Sequence, residues 1–180
     1  MIEHVITGMV LHKPLTGYEL KKEVESGIGN FYKASYGSLY PALKKLTDKG
    51  YVTLTEQTQV ARLKKYYMAT EAGKTAFLEW LMAPVDIGSG TAAILAKIYF
   101  FGELPKTMRN QKIQEYESAV QTVLDQYKNM EAQLADTIKN DRDYFELSTL
   151  YYGLQHTQGL LRWLKYIKTQ ESLTAFLQEN

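Results

Sequence analysis

A chain of 180 residues with 45 % apolar side chains can bury a real core, as one large domain or two small ones. It has no cysteine, which excludes disulfides, thiolate catalysis and zinc ribbons. The net charge of +1 conceals an uneven distribution: residues 1–83 carry a net +3, residues 84–180 a net −2, and residues 33–74 hold 8 basic against 3 acidic side chains. A basic stretch on an otherwise neutral protein suits a nucleic-acid face.

No apolar run approaches ~18 residues, and no basic segment leads into a signal-peptide core. The chain is therefore expected to be soluble and cytoplasmic, with no membrane partner. It has no nucleophile elbow, phosphate loop or dinucleotide fingerprint. Its three histidines, His4, His12 and His156, are scattered and have no metal-ligand spacing. A non-enzyme without metal or cofactor is expected.

Ile2, Val5, Ile6, Met9 and Val10 form a helical stripe that stops before Pro14. Thr16 and Glu19 have the spacing of a capping box, so a second helix starts there and runs to the Ser26–Asn30 breaker. Residues 35–46 form a third helix. Leu39, Leu43 and Leu46 set one side into a core, while Tyr36, Ser38, Tyr40, Lys44 and Lys45 array hydroxyls and amines on the other. Two helices joined by a turn, the second capped at Ser35 and basic, make a helix-turn-helix whose second helix fits a major groove.

After Gly50 the period changes to two. Residues 51–55 and 63–68 read as a hairpin with a polar tip over 56–62, and Arg62, Lys64 and Lys65 lie along a phosphate strand. Thr70 caps a fourth helix with Phe77, Leu78, Leu81 and Met82 inward. The DNA-contact set is then Tyr18, Ser35, Tyr36, Gly37, Ser38, Tyr40, Lys44, Lys45, Arg62, Lys64 and Lys65. Tyr18 suits either a phosphate contact or packing between helices, and Tyr40 either the groove or partial burial.

Pro84 to Gly90 is rich in breakers and reads as a linker between a domain at 1–83 and one at 91–180. Ile113, Tyr116, Val120, Val123, Tyr127, Met130 and Leu134 alternate at three and four residues, a heptad seam. Leu147, Leu150, Leu154, Thr157, Leu161 and Leu164 continue the pattern beyond a polar turn at 139–142. The fold class is mainly α with a small β wing: a winged helix-turn-helix followed by an antiparallel helical hairpin. A hairpin leaves apolar surface on both helices, so the seam residues are expected to pair with a second copy. A coiled-coil module whose winged helix contacts protein is the alternative, and the local +5 argues for DNA.

Three segments in order, Thr16-Gly17-Tyr18-Glu19-Leu20, Ser35 to Leu43 and Tyr66 to Gly73, resemble the successive signatures of PadR-type transcriptional regulators over residues 4–82. The wing tip departs from the pattern by lacking a glycine at Gln59-Val60-Ala61. The resemblance implies a homodimeric repressor that binds an inverted-repeat operator in double-stranded DNA and releases it to a small, often phenolic, effector. Aromatic residues on the C-terminal helices suit a planar ligand. Trp80, Tyr151, His156 and Trp163 are its candidate walls, although a satisfied interior histidine explains His156 as well.

Overall fold

The computed structural model describes residues 1–32, 36–59, 62–85, 90–134, 138–170, 174 and 176. Its elements are α1 (Ile2–Met9), β1 (Leu15–Thr16), α2 (Gly17–Gly27), α3 (Tyr36–Asp48), β2 (Val52–Gln59), β3 (Arg62–Ala69), α4 (Glu71–Met82), α5 (Thr91–Tyr99), a 3₁₀ turn at Phe101–Glu103, α6 (Lys106–Leu134) and α7 (Asp141–Thr169). They divide into two compact units, Met1–Leu104 and Pro105–Asn180.

In the first unit the predicted helix starts are made by the predicted caps. Glu19 N donates to Thr16 Oγ1 at 3.2 Å while Thr16 N donates to Glu19 Oε2 at 2.8 Å, closing the capping box of α2. Ile6, Val10, Leu15, Leu20, Leu39, Ala42, Leu43, Leu46 and Val52 form the core beneath the helix-turn-helix. Nine largely apolar residues from five elements lock α3 against α1 and α2, so its opposite side must face outward.

The hairpin of β2 and β3 is longer than the period-two pattern suggests. It pairs from Val52↔Ala69 to Gln59↔Arg62, so the expected polar tip is mostly strand. Val60 and Ala61 lie outside the described residues. Leu15 and Thr16 add a third strand through Leu15↔Tyr67 and Thr16↔Tyr66, giving the order β1-β3-β2. Two residues are too few to show a period, so this strand is invisible to sequence patterning.

Thr70 caps α4, with Gly73 N donating to Thr70 Oγ1 at 3.0 Å. Gly73 also carries the packing of α4 on the sheet. A Cβ there would stand 2.0 Å from the carbonyl oxygen of Tyr51, which is backbone and cannot turn aside. Gly73→Ala is therefore expected to destabilise the first unit by about 1–3 kcal/mol, as overpacking does. Chemical denaturation with tryptophan fluorescence checks this, since Trp80 lies on α4.

The unit boundary differs from the expected linker at 84–90, most of which lies outside the described residues. The division falls at Leu104, so α5 belongs with the winged helix. Aromatic packing is the reason. Phe100 meets Phe77 edge-on at 5.2 Å, and Lys97 Nζ donates to the Ala83 carbonyl and stands 5.4 Å over the Trp80 ring.

The second unit is the expected antiparallel hairpin. Asn140 caps α7 by accepting from Asp143 N at 3.1 Å. The heptad seam requires correction. Ile113, Tyr116, Val120, Leu147, Leu154, Leu161 and Leu164 are already buried within the one chain, and Val123, Tyr127 and Leu150 are half-buried. Tyr127 packs its ring on Gly153 of α7. The buried residues among them pack α6 on α7 within the one chain. The pattern also drifts: Leu124 is buried in place of Val123, and Met130 and Leu134 turn out to solvent. A straight helix at 3.6 residues per turn slips about 20° per heptad against a 3.5 repeat, so the end of a long seam leaves the interface.

Candidate nucleic-acid interface

The outer side of α3 is built by subtraction. Burying Leu39, Ala42, Leu43 and Leu46 leaves Gly37, Tyr40, Pro41, Lys44 and Asp48 on the opposite side of the helix. Pro41 has no N–H to give the Gly37 carbonyl four residues earlier, which leaves that oxygen as an acceptor on the exposed side. Tyr40 is 52 % exposed, with about half of its surface open on this side.

Its ring lies against the first residue of α2. A Cβ on Gly17 would reach 2.9 Å from Tyr40 Cε1, so glycine is what lets the two helices approach there. The next residue, Tyr18, is 69 % exposed, which favours the contact reading over interhelical packing. Gly37 is exposed and Ser38 half-buried. Tyr36 opens α3, but its side chain, and Ser35 altogether, lie outside the described residues.

The lysines separate. Lys44 is open, in an i,i+4 pair with Asp48 at 2.7 Å, an exposed contact of the kind that costs little to exchange. Lys45 turns toward α1 instead: its Nζ is 2.5 Å from Glu3 Oε1, and Lys49 Nζ is 3.0 Å from Glu3 Oε2. The hydrogen bond from Lys45, with that from Lys49, holds the Glu3 carboxyl below the usual carboxylate range. Sequence reasoning missed Glu3 and Lys49. Lys45 and Lys49 are four apart, a visible signal for a shared side; their partner lies 42 and 46 residues away and left no signal.

The wing residues separate too. Strand alternation puts Lys64 on one face with its cross-strand partner Gln57. Lys65 falls on the other, 3.5 Å from its cross-strand partner Glu56, in the row that carries Tyr67 toward the core. Lys64 and Lys65 therefore stand on opposite faces of the hairpin. Lys64 is exposed, and the Arg62 side chain lies outside the described residues.

The effector candidates are dispersed. Trp80, on α4, stacks on His4 with ring centroids 4.9 Å apart and lines a cavity of about 450 Å³ with Lys49, Tyr51 and Phe77. Tyr151, His156 and Trp163 are on α7. Tyr151 donates to Glu131 Oε1 at 2.9 Å and lines a different cavity, of about 180 Å³. His156 is exposed and stacks on Tyr152 at 6.1 Å.

Burial beside Trp80 pushes the His4 imidazole below its ordinary value, and the N-terminal ammonium adds to this. A lowered folded pKa contributes stability that is fully present above about 6.5 and lost as the pH falls through the folded value. The first unit should therefore melt lower at pH 5 than at pH 7.5, and His4→Phe should reduce that difference. Thermal melts at the two pH values test it.

The chain is similar to known proteins along most of its length. Residues 6–79 match the Transcriptional regulator PadR-like family, and residues 92–170 match the Virulence activator alpha C-term family. The Negative transcriptional regulator PadR of Bacillus subtilis (strain 168) is 24 % identical over 173 residues, covering 93 % of this chain and 95 % of that protein. The crystal structure of Bacillus subtilis PadR in complex with operator DNA aligns with a TM-score of 0.46 at 23 % identity, over 93 % of this chain and 97 % of that one. Its complex with p-coumaric acid aligns with a TM-score of 0.43 at 23 % identity, over 94 % and 97 %. Residues 6–79 therefore form a PadR-like transcriptional regulator domain with a winged-helix fold, and a helical region follows it.

Proposed function

We propose that this regulator is a cytoplasmic homodimeric repressor that binds an inverted-repeat operator. The observation that carries the reading is the outward side of α3, where Gly37, Tyr40 and Lys44 stand clear of the core beside Tyr18 of α2. A relative over nearly the whole chain is named a negative regulator, which supports repression. Two copies about a two-fold axis would present their α3 helices to major grooves about 34–36 Å apart. Footprinting on the DNA upstream of the regulator's own gene tests this: two protected half-sites one turn apart are expected, and a single asymmetric half-site bound by a monomer would contradict it.

The pairing surface is a second stripe on α7. Phe145, Tyr152, His156 and Trp163 are spaced by seven, four and seven residues, on the side away from Leu147, Leu154 and Leu161. Phe145 and Tyr152 are 67 % and 73 % exposed, a large apolar area to leave in water.

The second part of the reading is relief of repression by a small planar aromatic molecule. Of the four candidate walls, Trp80 has the strongest support, because its cavity of about 450 Å³ is of ligand size and pairs aromatic rings with the Lys49 ammonium. A nearly complete switch needs about 5.5 kcal/mol of preference for the form that does not bind DNA. Mobility shifts with p-coumaric acid and with lipophilic cations, followed by calorimetry on Trp80→Ala, test it. Failure of every compound to release DNA or to bind would remove the effector and leave the repressor.

On the wing, Lys64→Ala should weaken all duplexes alike and flatten the salt dependence by about one unit. Lys65→Ala should do less, because Glu56 and the opposite strand face hold it. Equal effects would mean the two faces approach DNA together.

A further inference from the structure

Glu3 takes two lysines from the end of α3 and the residue after it. Its Oε1 accepts from Lys45 at 2.5 Å and its Oε2 from Lys49 at 3.0 Å, one ammonium per oxygen. A phosphodiester also offers two non-bridging oxygens on one centre, so it can take the same pair of ammonium groups. The lysine side chains remain 59 % and 44 % exposed, so they are open to exchange, whereas Glu3 is the more enclosed partner at 23 %. Exposed pairs of this kind contribute little to stability, so retaining three charges here has weak justification as a structural clamp alone.

We infer that Lys45 and Lys49 form a second phosphate-binding point at the trailing end of α3, and that Glu3 occupies it in the free protein. DNA binding then exchanges one anion for another. Glu3 lowers affinity for any duplex, because each lysine must leave a carboxylate before it meets a phosphate. The sequence-wide cost falls on non-specific DNA and on the operator alike, so Glu3 holds down the non-specific background and leaves discrimination to base contacts by Tyr40 and its neighbours. Lys49 thereby joins the DNA-contacting set, and Lys45 keeps its place in it by a different route from Lys44. The inference rests on the DNA-binding reading and adds to it a carboxylate that competes with the backbone.

The test uses the full-length chain and a random-sequence duplex, with anisotropy titrations between about 50 and 200 mM salt. Glu3→Gln should tighten binding by at least about threefold at the low-salt end and steepen the salt dependence by up to about one unit per lysine released. Lys49→Ala should flatten the dependence by about one unit, and Glu3→Gln/Lys49→Ala should lose about half the gain of Glu3→Gln. Glu3→Asp keeps the charge and should stay close to wild type. A Glu3→Gln protein with unchanged affinity and slope would overturn the inference, as would weaker binding together with a lowered melting temperature, which marks a structural clamp. A wild-type chain that binds no duplex at all would remove the regulator reading itself, and this inference with it.

Discussion

Placing charge on the outer stripe of α7 is expected to abolish operator binding while both units stay folded. Phe145→Asp and Tyr152→Asp alter side chains that are mostly exposed in the single chain, so the hairpin loses little. In a dimer the same carboxylates enter a dry interface, where an unpaired charge costs several kcal/mol or more. Operator affinity depends on two half-sites binding together, and losing that link costs about 10²–10⁴-fold. Sedimentation should show monomers, circular dichroism should be unchanged, and the operator shift should vanish. Leu154→Asp is the control: at 7 % exposure it lies inside the hairpin and should unfold it, giving a different signature. A Phe145→Asp/Tyr152→Asp protein that keeps its dimer mass would show that the second copy sits elsewhere.

The second large effect concerns α3. Tyr40→Ala and Lys44→Ala are each expected to weaken operator binding, by different routes. A side chain that reads a base edge is worth about 1–3 kcal/mol of discrimination, roughly 5- to 150-fold, and its loss relaxes one operator position. A lysine on phosphate weakens every sequence alike and flattens the salt dependence by about one unit. Tyr40 is assigned to the first class and Lys44 to the second. Gly17→Ala offers an indirect probe, because its new Cβ must displace the Tyr40 ring from 2.9 Å. It should change operator preference more than overall DNA affinity. If Tyr40→Ala leaves both affinity and preference unchanged, the groove-facing assignment of that side chain is wrong.

Much of the architecture was legible because it is encoded within four residues. The capping box of Thr16 and Glu19, the Thr70 cap with Gly73, and the spacing of Leu39, Leu43 and Leu46 each state a local geometry that the chain adopts. The exposed side of α3 follows from that spacing alone, since a helix with one buried face has only one other to show. The order of the three signature segments pointed to the PadR-like family by the same short-range signals.

What the sequence by itself determined is therefore most of the helices, the inward face of α3 and the family resemblance. The tertiary structure decided which partner each face takes. The heptad residues could serve a hairpin or a dimer equally well by pattern, and the turn at Asn140 folds α7 back so that α6 takes them first. Lys45 reads as a groove contact until α1 brings Glu3 to it. Leu15 and Thr16 become a strand only because β3 lies beside them. Periodicity records how a segment divides its surface between core and water; the choice among buried partners depends on packing free energies between residues far apart in the chain, which no local pattern contains.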